Sequence, residues 1–369
     1  MSTASSRPIE PRARDLGIPL DGIPGPRDAI TDVPGVAVGF STLVRGSGPL
    51  RVGEGPVRTG VTAILPRGLG SHAPVFAAWF PLNGNGEMTG TAWIDESGFL
   101  ESPILLTNTH SVGVVRDAVV EWQARTKRFF QPYSYPVVAE TYDGTLNDIN
   151  GFHVKAEHAI AAIESATEGD VAEGNVGGGT GMVCFGFKGG TGTASRRTGE
   201  GDHAHTVGVL VQANFGLRSQ LTIAGVPVGR ELPLSPAATS VPRTEQGSII
   251  VVVATDAPLL PHQLARVARR AALGLGRTGS CAGNGSGDIM IAFSTANPDA
   301  ASLTAPTRTI EMLSNAALNP VFDATIFATE AAILNALVAA ETMTGIDDVT
   351  IEALPHDRVR ELLTRYGRG

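Results

Sequence analysis

Short aliphatic runs punctuated by Gly, Pro and Asn recur along the chain: VAVGF (36–40), GVTAILP (60–66), APVFAAWF (73–80) and ESPILLTN (101–108). Runs of this length between turn formers predict strands. Residues 111–124 and 151–167 predict helices, and strands return at 181–188 (GMVCFGFK), 191–196 and 205–215 (HTVGVLVQANF). A β-branched strand follows at 248–255. Leu264, Val267, Ala268, Ala271, Ala272 and Leu275 then recur at helical spacing, with Pro261 near the start. A strand at 288–295 (DIMIAFST), a long apolar helix over roughly 320–341 and a short amphipathic helix near 356–365 complete the pattern. Strands and helices are grouped instead of alternating strictly, which predicts a layered α+β sandwich over a doubly wound parallel sheet. No internal repeat interrupts this order.

Composition narrows the picture. The 369 residues can make one large domain or two ordinary ones, and 42% hydrophobic against 17% charged residues gives ample core material. Residues 1–28 are polar and Pro/Arg-rich, read as an arm or loosely held tail, with 29–369 as a single domain. The balance of 28 basic and 36 acidic residues, with no basic cluster, makes nucleic acid and anionic membrane poor partners. There is no apolar h-region at the start, and no apolar run approaching the ~20 residues a bilayer span needs. Cys184 and Cys281 form no CxxC pair or disulfide framework. A soluble cytoplasmic chain is expected. The 45 glycines are frequent but not periodic, so they mark tight turns and close backbone contacts.

Several motifs fail on context. GLGRTG (274–279) matches the dinucleotide fingerprint in letters, but it follows a helix where a cofactor loop must follow a strand. It reads as a helix C-terminus. VGGGTGM (176–182) lacks the GK[ST] ending of a phosphate loop and feeds a strand, so a glycine-rich turn is expected. His203 and His205 have paired metal spacing without further ligands, and no metal site is expected. GNGSGDI (283–289) carries Asn284 and Asp288 where a nucleophile elbow needs glycines.

One arrangement survives. A Pro-rich polar loop, LPLSPAATSVPRTEQ, runs into QGSIIVVVATD (246–256), so Ser248 begins a strand directly after Gly247. A serine hydroxyl needs a base to become a nucleophile. If the chain cuts itself between Gly247 and Ser248, the freed α-amine, with a pKa near ~7.7–8, is such a base. The small Gly247 lets the hydroxyl approach the preceding carbonyl, giving an ester that water hydrolyses. The competing reading is an uncut loop–strand boundary.

The segment QGSIIVVVATDAPLLPHQLARVARRAALGLGRTG, followed by GNGSGDI, closely resembles the self-processing DmpA-type aminopeptidases. These are also called L-aminopeptidase/D-esterases, and they include the β-aminopeptidases. Further blocks follow in the same order: ITDVPGVAVG (30–39), VRTGVTAILPRG (57–68), NGNGEMTG (83–90), TNTHSVG (107–113), AETYDGTLND (139–148), GGGTGM (177–182) and VQANFG (211–216). The resemblance implies a four-layer α/β/β/α sandwich, similar to Ntn hydrolases in layering but differently connected. It also implies a catalytic domain cut into an α chain (1–247) and a β chain (248–369) that stay together, commonly as a tetramer of heterodimers. No metal or cofactor is implied.

Position by position, the resemblance makes Ser248 the nucleophile. Ser286 is the second serine with acidic Asp288 beside it, together relaying or orienting the proton of Ser248. Asn214 is the amide donor to the oxyanion, and Tyr142 is a hydroxyl near the same oxygen. Glu140 is the carboxylate that takes the substrate ammonium; at i and i+2 on a strand, Glu140 and Tyr142 are expected to face one side. The competing readings are a strand end for Asn214, solvated turn carboxylates for Glu140 and Asp143, a loop end for Ser286, and a core or rim side chain for Tyr142. Asn83 and Asn85 are read as turn formers without chemistry. The activity expected is release of small N-terminal residues (Ala, Gly and, more remotely, D-Ala) from short peptides, amides and esters. A β-amino-acid preference is the runner-up. An ornithine-acetyltransferase-like acyl transfer, disfavoured because those enzymes cut at a threonine, and an uncleaved binding protein are the other classes left open.

Overall fold

A computed structural model describes residues 11–201, 204–234 and 247–368. In chain order it forms β1 (Ala37–Arg45), β2 (Val57–Leu65), β3 (Val75–Pro81), α1 (Thr91–Ser97), β4 (Phe99–Leu100) and β5 (Ile104–Asn108). α2 (Val112–Thr126), β6 (Val137–Thr141), α3 (Ala156–Glu164), β7 (Val183–Cys184), β8 (Phe187–Lys188) and β9 (Gly190–Arg197) follow. Next come β10 (Thr206–Asn214), α4 (Val228–Glu231), β11 (Gly247–Thr255), α5 (Pro261–Arg277) and β12 (Ser286–Ser294). α6 (Asn319–Val338), β13 (Met343–Thr344), β14 (Thr350–Ile351) and α7 (His356–Arg365) close the chain.

Two sheets carry the fold, one ordered β1-β2-β5-β6 and the other β4-β3-β12-β11-β10-β9. Side chains of a strand alternate between faces, and β11 shows where each face goes. Ile249, Val251 and Val253 pack into a core with α5 and α6. Ile250, Val252 and Ala254 pack into a second core shared with Ile64, Ile104 and Ala139 of the other sheet. The far side of that sheet, through Ala63, Leu105 and Val138, packs on α2 and α3. The layers are therefore α2/α3, four strands, six strands and α5/α6, the α/β/β/α order expected. Both faces of β11 are buried along its length, which is why its sequence reads as a continuous apolar run instead of alternating.

Three expectations need adjusting. The helix expected over 151–167 spans only Ala156–Glu164, after Phe152 takes a left-handed φ of 51°. The strand expected over 181–188 is a hairpin, β7 and β8, turning at Phe185 and Gly186, both at positive φ. The expected loose arm is, from Pro11 onward, tied to the body. Ala13, Leu16 and Ile18 enter the core beneath α6, and Arg12 pairs with Glu173 at 2.8 Å while donating to the Thr193 carbonyl. Overall polarity hid these three apolar anchors.

The stretch Asn315–Val338 is long and apolar enough to cross a bilayer, contrary to the reading of its sequence, but 83% of its apolar window is buried inside the protein. A helix apolar all round belongs in a core. Its polar residues have partners there: the hydroxyls of Thr325 and Thr329 donate to the carbonyls of Val321 and Thr325, and Glu330 pairs with Arg277. GLGRTG forms the last turn and end of α5, and the glycines 177–179 a single tight turn, as expected.

Candidate active site

Strand register builds the site around Ser248. Antiparallel β10 sets Asn214 opposite Ser248, and parallel β12 sets Gly287 opposite it on the other side. Leu210 of β10 and Ile250 and Val252 of β11 face the core between the sheets. By the same alternation, the side chains of Asn214 and Ser248 face that way together. Ser286 and Asp288 run in step with Met290 and Ala292, which face the helices. The hydroxyl of Ser248 thus shares a face with the Asn214 amide, and the Ser286–Asp288 pair lies on the other face.

Each neighbour is held by its own contacts. The side-chain carbonyl of buried Asn214 accepts the Val183 N–H at 2.7 Å. Only that end of the amide can accept, so the NH2 end faces away from β7 and is able to donate. Ser286 Oγ donates to Asp288 Oδ1 at 2.6 Å, and both residues are fully buried. Asn83 Nδ2 donates to Asp288 Oδ2 at 3.3 Å and to the carbonyls of Ala282 and Gly283 at 2.8 and 3.1 Å. Asn83, a turn former by sequence, clamps the turn that leads into Ser286.

Two glycines are demanded by close approach. A Cβ on Gly247 would lie 2.3 Å from the Asn214 carbonyl oxygen, and one on Gly287 would lie 2.3 Å from that of Asn85. The NGNGE segment therefore presses directly on the strand beside Ser248.

Glu140 reaches this locality from the other sheet. It is buried, and its carboxylate accepts the Glu87 N–H at 3.0 Å and the Thr109 hydroxyl. Burial pushes its pKa above the ordinary range, and the Thr109 and Glu87 hydrogen bonds pull it partly back. A Cβ placed on Gly86 would lie 3.3 Å from both Glu140 Oε1 and Gly287 Cα. A single glycine thus separates the carboxylate from the residue paired with Ser248. Asp143 is not a solvated turn carboxylate either: it is fully buried, burial pushes its pKa up to about 6, and the Asn147 amide donates to it at 3.0 Å.

The expectation that Glu140 and Tyr142 share one side is overturned. β6 ends at Thr141, so alternation stops before Tyr142, which is 48% exposed while Glu140 is buried. The Tyr142 hydroxyl folds back over Gly144, where a Cβ would lie 2.3 Å from it. The neighbouring Thr141 donates to Met182 Sδ at 2.8 Å, and Met182 precedes the Val183 that holds Asn214. Thr109 and Gly86 were missed as site residues; their only sequence signal is membership in the TNTHSVG and NGNGEMTG blocks. Among the described residues no group of three His, Cys, Asp or Glu side chains could hold a metal. His203 lies outside the described residues, and His205 sits 3.7 Å from Asp256.

The profile of peptidase family S58 matches residues 28–351. The β-peptidyl aminopeptidase BapA of Sphingosinicella microcystinivorans is 56% identical, over 97% of this chain and 93% of that protein. The L-aminopeptidase D-Ala-esterase/amidase of Ochrobactrum anthropi, a prototype serine aminopeptidase with a variant Ntn-hydrolase fold, superposes with a TM-score of 0.90 at 48% identity, covering 97% of this chain and 99% of that one. A Burkholderia sp. β-aminopeptidase superposes with a TM-score of 0.88 at 46% identity, again covering 97% and 99%. With this agreement in sequence and layering along nearly its whole length, the chain belongs to peptidase family S58 and is a serine peptidase on a variant of the Ntn-hydrolase fold.

Proposed function

We propose that this peptidase cuts itself between Gly247 and Ser248 and then, as an aminopeptidase, releases N-terminal β-amino acids from short peptides and amides. The observation that carries the reading is the register setting Ser248 between Asn214 and the start of β12. In the cut, Ser248 Oγ adds to the Gly247 carbonyl carbon, the peptide C–N bond breaks, and an ester links Gly247 to Ser248. Water hydrolyses the ester, leaving a carboxylate on Gly247 and an amine on Ser248. The two chains stay joined, because β11 pairs with β10 and β12 with β3 across the cut chains.

The same atoms serve turnover. The Ser248 amine, with a pKa near ~7.7–8, takes the proton of its own hydroxyl, and the Ser286–Asp288 pair on the adjoining strand orients that amine. Ser248 attacks the carbonyl of the first substrate residue. Asn214 Nδ2 donates to the oxyanion, with the Tyr142 hydroxyl as a second donor. Glu140 receives the substrate ammonium, which restricts the enzyme to free N-termini. The leaving amine departs protonated, and water releases the acyl group.

The β-amino-acid preference rests on the 56% identity to BapA and the likeness to the Burkholderia β-aminopeptidase. The 48% identity to the Ochrobactrum enzyme favours a second reading, release of L- or D-alanine from amides and esters. Intact mass of the wild type beside Ser248→Ala tests self-cleavage: two fragments meeting at the proposed bond, and one uncut mutant chain, are expected. Rates on the p-nitroanilides of β-alanine, L-alanine and D-alanine test substrate class. A tenfold or greater advantage for β-alanine is expected, and the reverse order would move the assignment to the second reading.

A further inference from the structure

At the end of the sandwich away from Ser248, a pocket of about 40 Å³ opens between the end of β2, the Glu101–Pro103 turn and the last turns of α2. Leu65, Leu100 and Trp122 give it an apolar wall. Arg67 and Gln123 line it, and three of their buried polar atoms have no protein partner: Arg67 Nε, Arg67 Nη2 and Gln123 Oε1. Both side chains are anchored by their other ends. Arg67 Nη1 donates to the Thr295 carbonyl at 2.9 Å, and Gln123 Nε2 donates to the Glu101 carbonyl at 3.3 Å. Gln123 is only 2% exposed.

Two further polar side chains of the pocket, Glu101 and Ser102, are already engaged. The Glu101 carboxylate accepts from the Trp93 indole at 2.9 Å and from Gln131 at 2.8 Å. The Ser102 hydroxyl donates to the Pro103 carbonyl and accepts the Val137 N–H. Arg128 lies over the Trp122 ring at 5.5 Å, adding a second cation. Burial lowers the pKa of Arg67 and nearby Asp299 raises it, but a guanidinium stays charged in proteins.

Unpartnered buried donors and acceptors are unfavourable, and an unpaired buried charge more so. Nε and Nη2 form one edge of the guanidinium, and two parallel N–H donors on that edge match the two oxygens of a carboxylate. Gln123 Oε1 asks for the opposite, an N–H or O–H. We propose that this pocket binds a small carboxylate carrying a neighbouring N–H or O–H, with the carboxylate on the Arg67 edge, the donor on Gln123 Oε1 and the carbon skeleton against Leu65, Leu100 and Trp122. This site is separate from Ser248 and does not depend on the proposed aminopeptidase chemistry.

The probe is N-acetylglycine, which has the carboxylate and an amide N–H but no free amine for Glu140. Its neutral counterpart, N-acetylglycinamide, keeps the shape and lacks the charge. Ligand-observed NMR on the purified full chain is expected to show saturable binding of the acid and at least tenfold weaker binding of the amide. Gln123→Glu sets a like charge beside the carboxylate and is expected to weaken binding at least tenfold. Arg67→Gln should do the same, but it loses the anchor to Thr295, so the Gln123 variant keeps the test decisive if Arg67→Gln fails to fold. No saturable binding of the acid, equal binding of acid and amide, or unchanged affinity in a folded Gln123→Glu chain would each overturn the proposal.

Discussion

Ser286 Oγ donates to Asp288 Oδ1 at 2.6 Å, two positions along one strand and therefore on one face of the sheet. That face is opposite the one carrying the Ser248 hydroxyl, and in the proposed mechanism the pair orients the Ser248 amine. Ser286→Ala and Asp288→Asn should consequently act on the step that needs the amine. General acid–base assistance of this kind contributes about 10²–10⁴-fold. A fall in kcat of that order, with KM nearly unchanged, is expected for protein that has been cut. Steady-state kinetics on the purified cut form check this, and a change confined to KM would assign the pair to substrate binding instead.

Asn214 offers a sharper test, because its two amide ends do different things. The carbonyl end holds the Val183 N–H at 2.7 Å, and the NH2 end is the proposed oxyanion donor. Asn214→Asp preserves the acceptor and abolishes the donor. Both Asn214→Asp and Asn214→Ala are expected to lower kcat about 10²–10³-fold, the effect of losing one such donor. An active Asn214→Asp enzyme beside an inactive Asn214→Ala would show that the residue matters only for holding β7.

Gly247→Ala forces a methyl to within 2.3 Å of the Asn214 carbonyl oxygen and 2.9 Å of Phe215 Cα, both backbone atoms. The start of β11 must shift, and the carbonyl that Ser248 attacks shifts with it. Self-cleavage should slow relative to the wild type, leaving more uncut chain beside the fragments on a denaturing gel. Gly276→Ala is the control. It lies in α5 with nothing within 4 Å of its Cβ position, and it should raise stability by about 1 kcal/mol through helix propensity with normal cleavage.

Local pattern was enough to read β11, because β-branched residues buried on both faces leave a run that no helix explains. Grouping of such runs was enough to read the layers. What failed depended on packing across the fold. The strand expected from Asp288 begins at Ser286, since the glycines flanking Ser286 look like a loop until Asn85 is seen to press on Gly287. Periodicity put Glu140 and Tyr142 on one side, but β6 stops at Thr141, just ahead of the Asp143–Gly144 turn. The burial of Glu140 rests on Thr109 and Glu87, which lie 31 and 53 positions away in the chain. Asp143, equally acidic and equally close to a turn in sequence, is buried by the same kind of distant contact with Gly181.

That burial has a measurable sign. The pKa of Asp143 is pushed up to about 6 from an ordinary 3.8, so the folded chain holds this proton more tightly than the unfolded chain. Between those two values the unfolded state has lost the proton while the folded state keeps it. Stability therefore falls as pH rises through the window, by about 1.4 kcal/mol per unit, and levels off above pH ~6. The total is on the order of 3 kcal/mol. Glu173, pushed up to about 7 by burial, acts with the same sign over a higher range, so the wild-type profile alone does not separate them. Asp143→Asn does. Its side-chain carbonyl can still accept from Asn147, but it has no proton to lose. Urea unfolding at pH 4, 6 and 8 should show the variant gaining on the wild type between the first two values and holding that gain at the third. A gap that stays constant across all three would mean that Asp143 is ionised in the folded chain throughout.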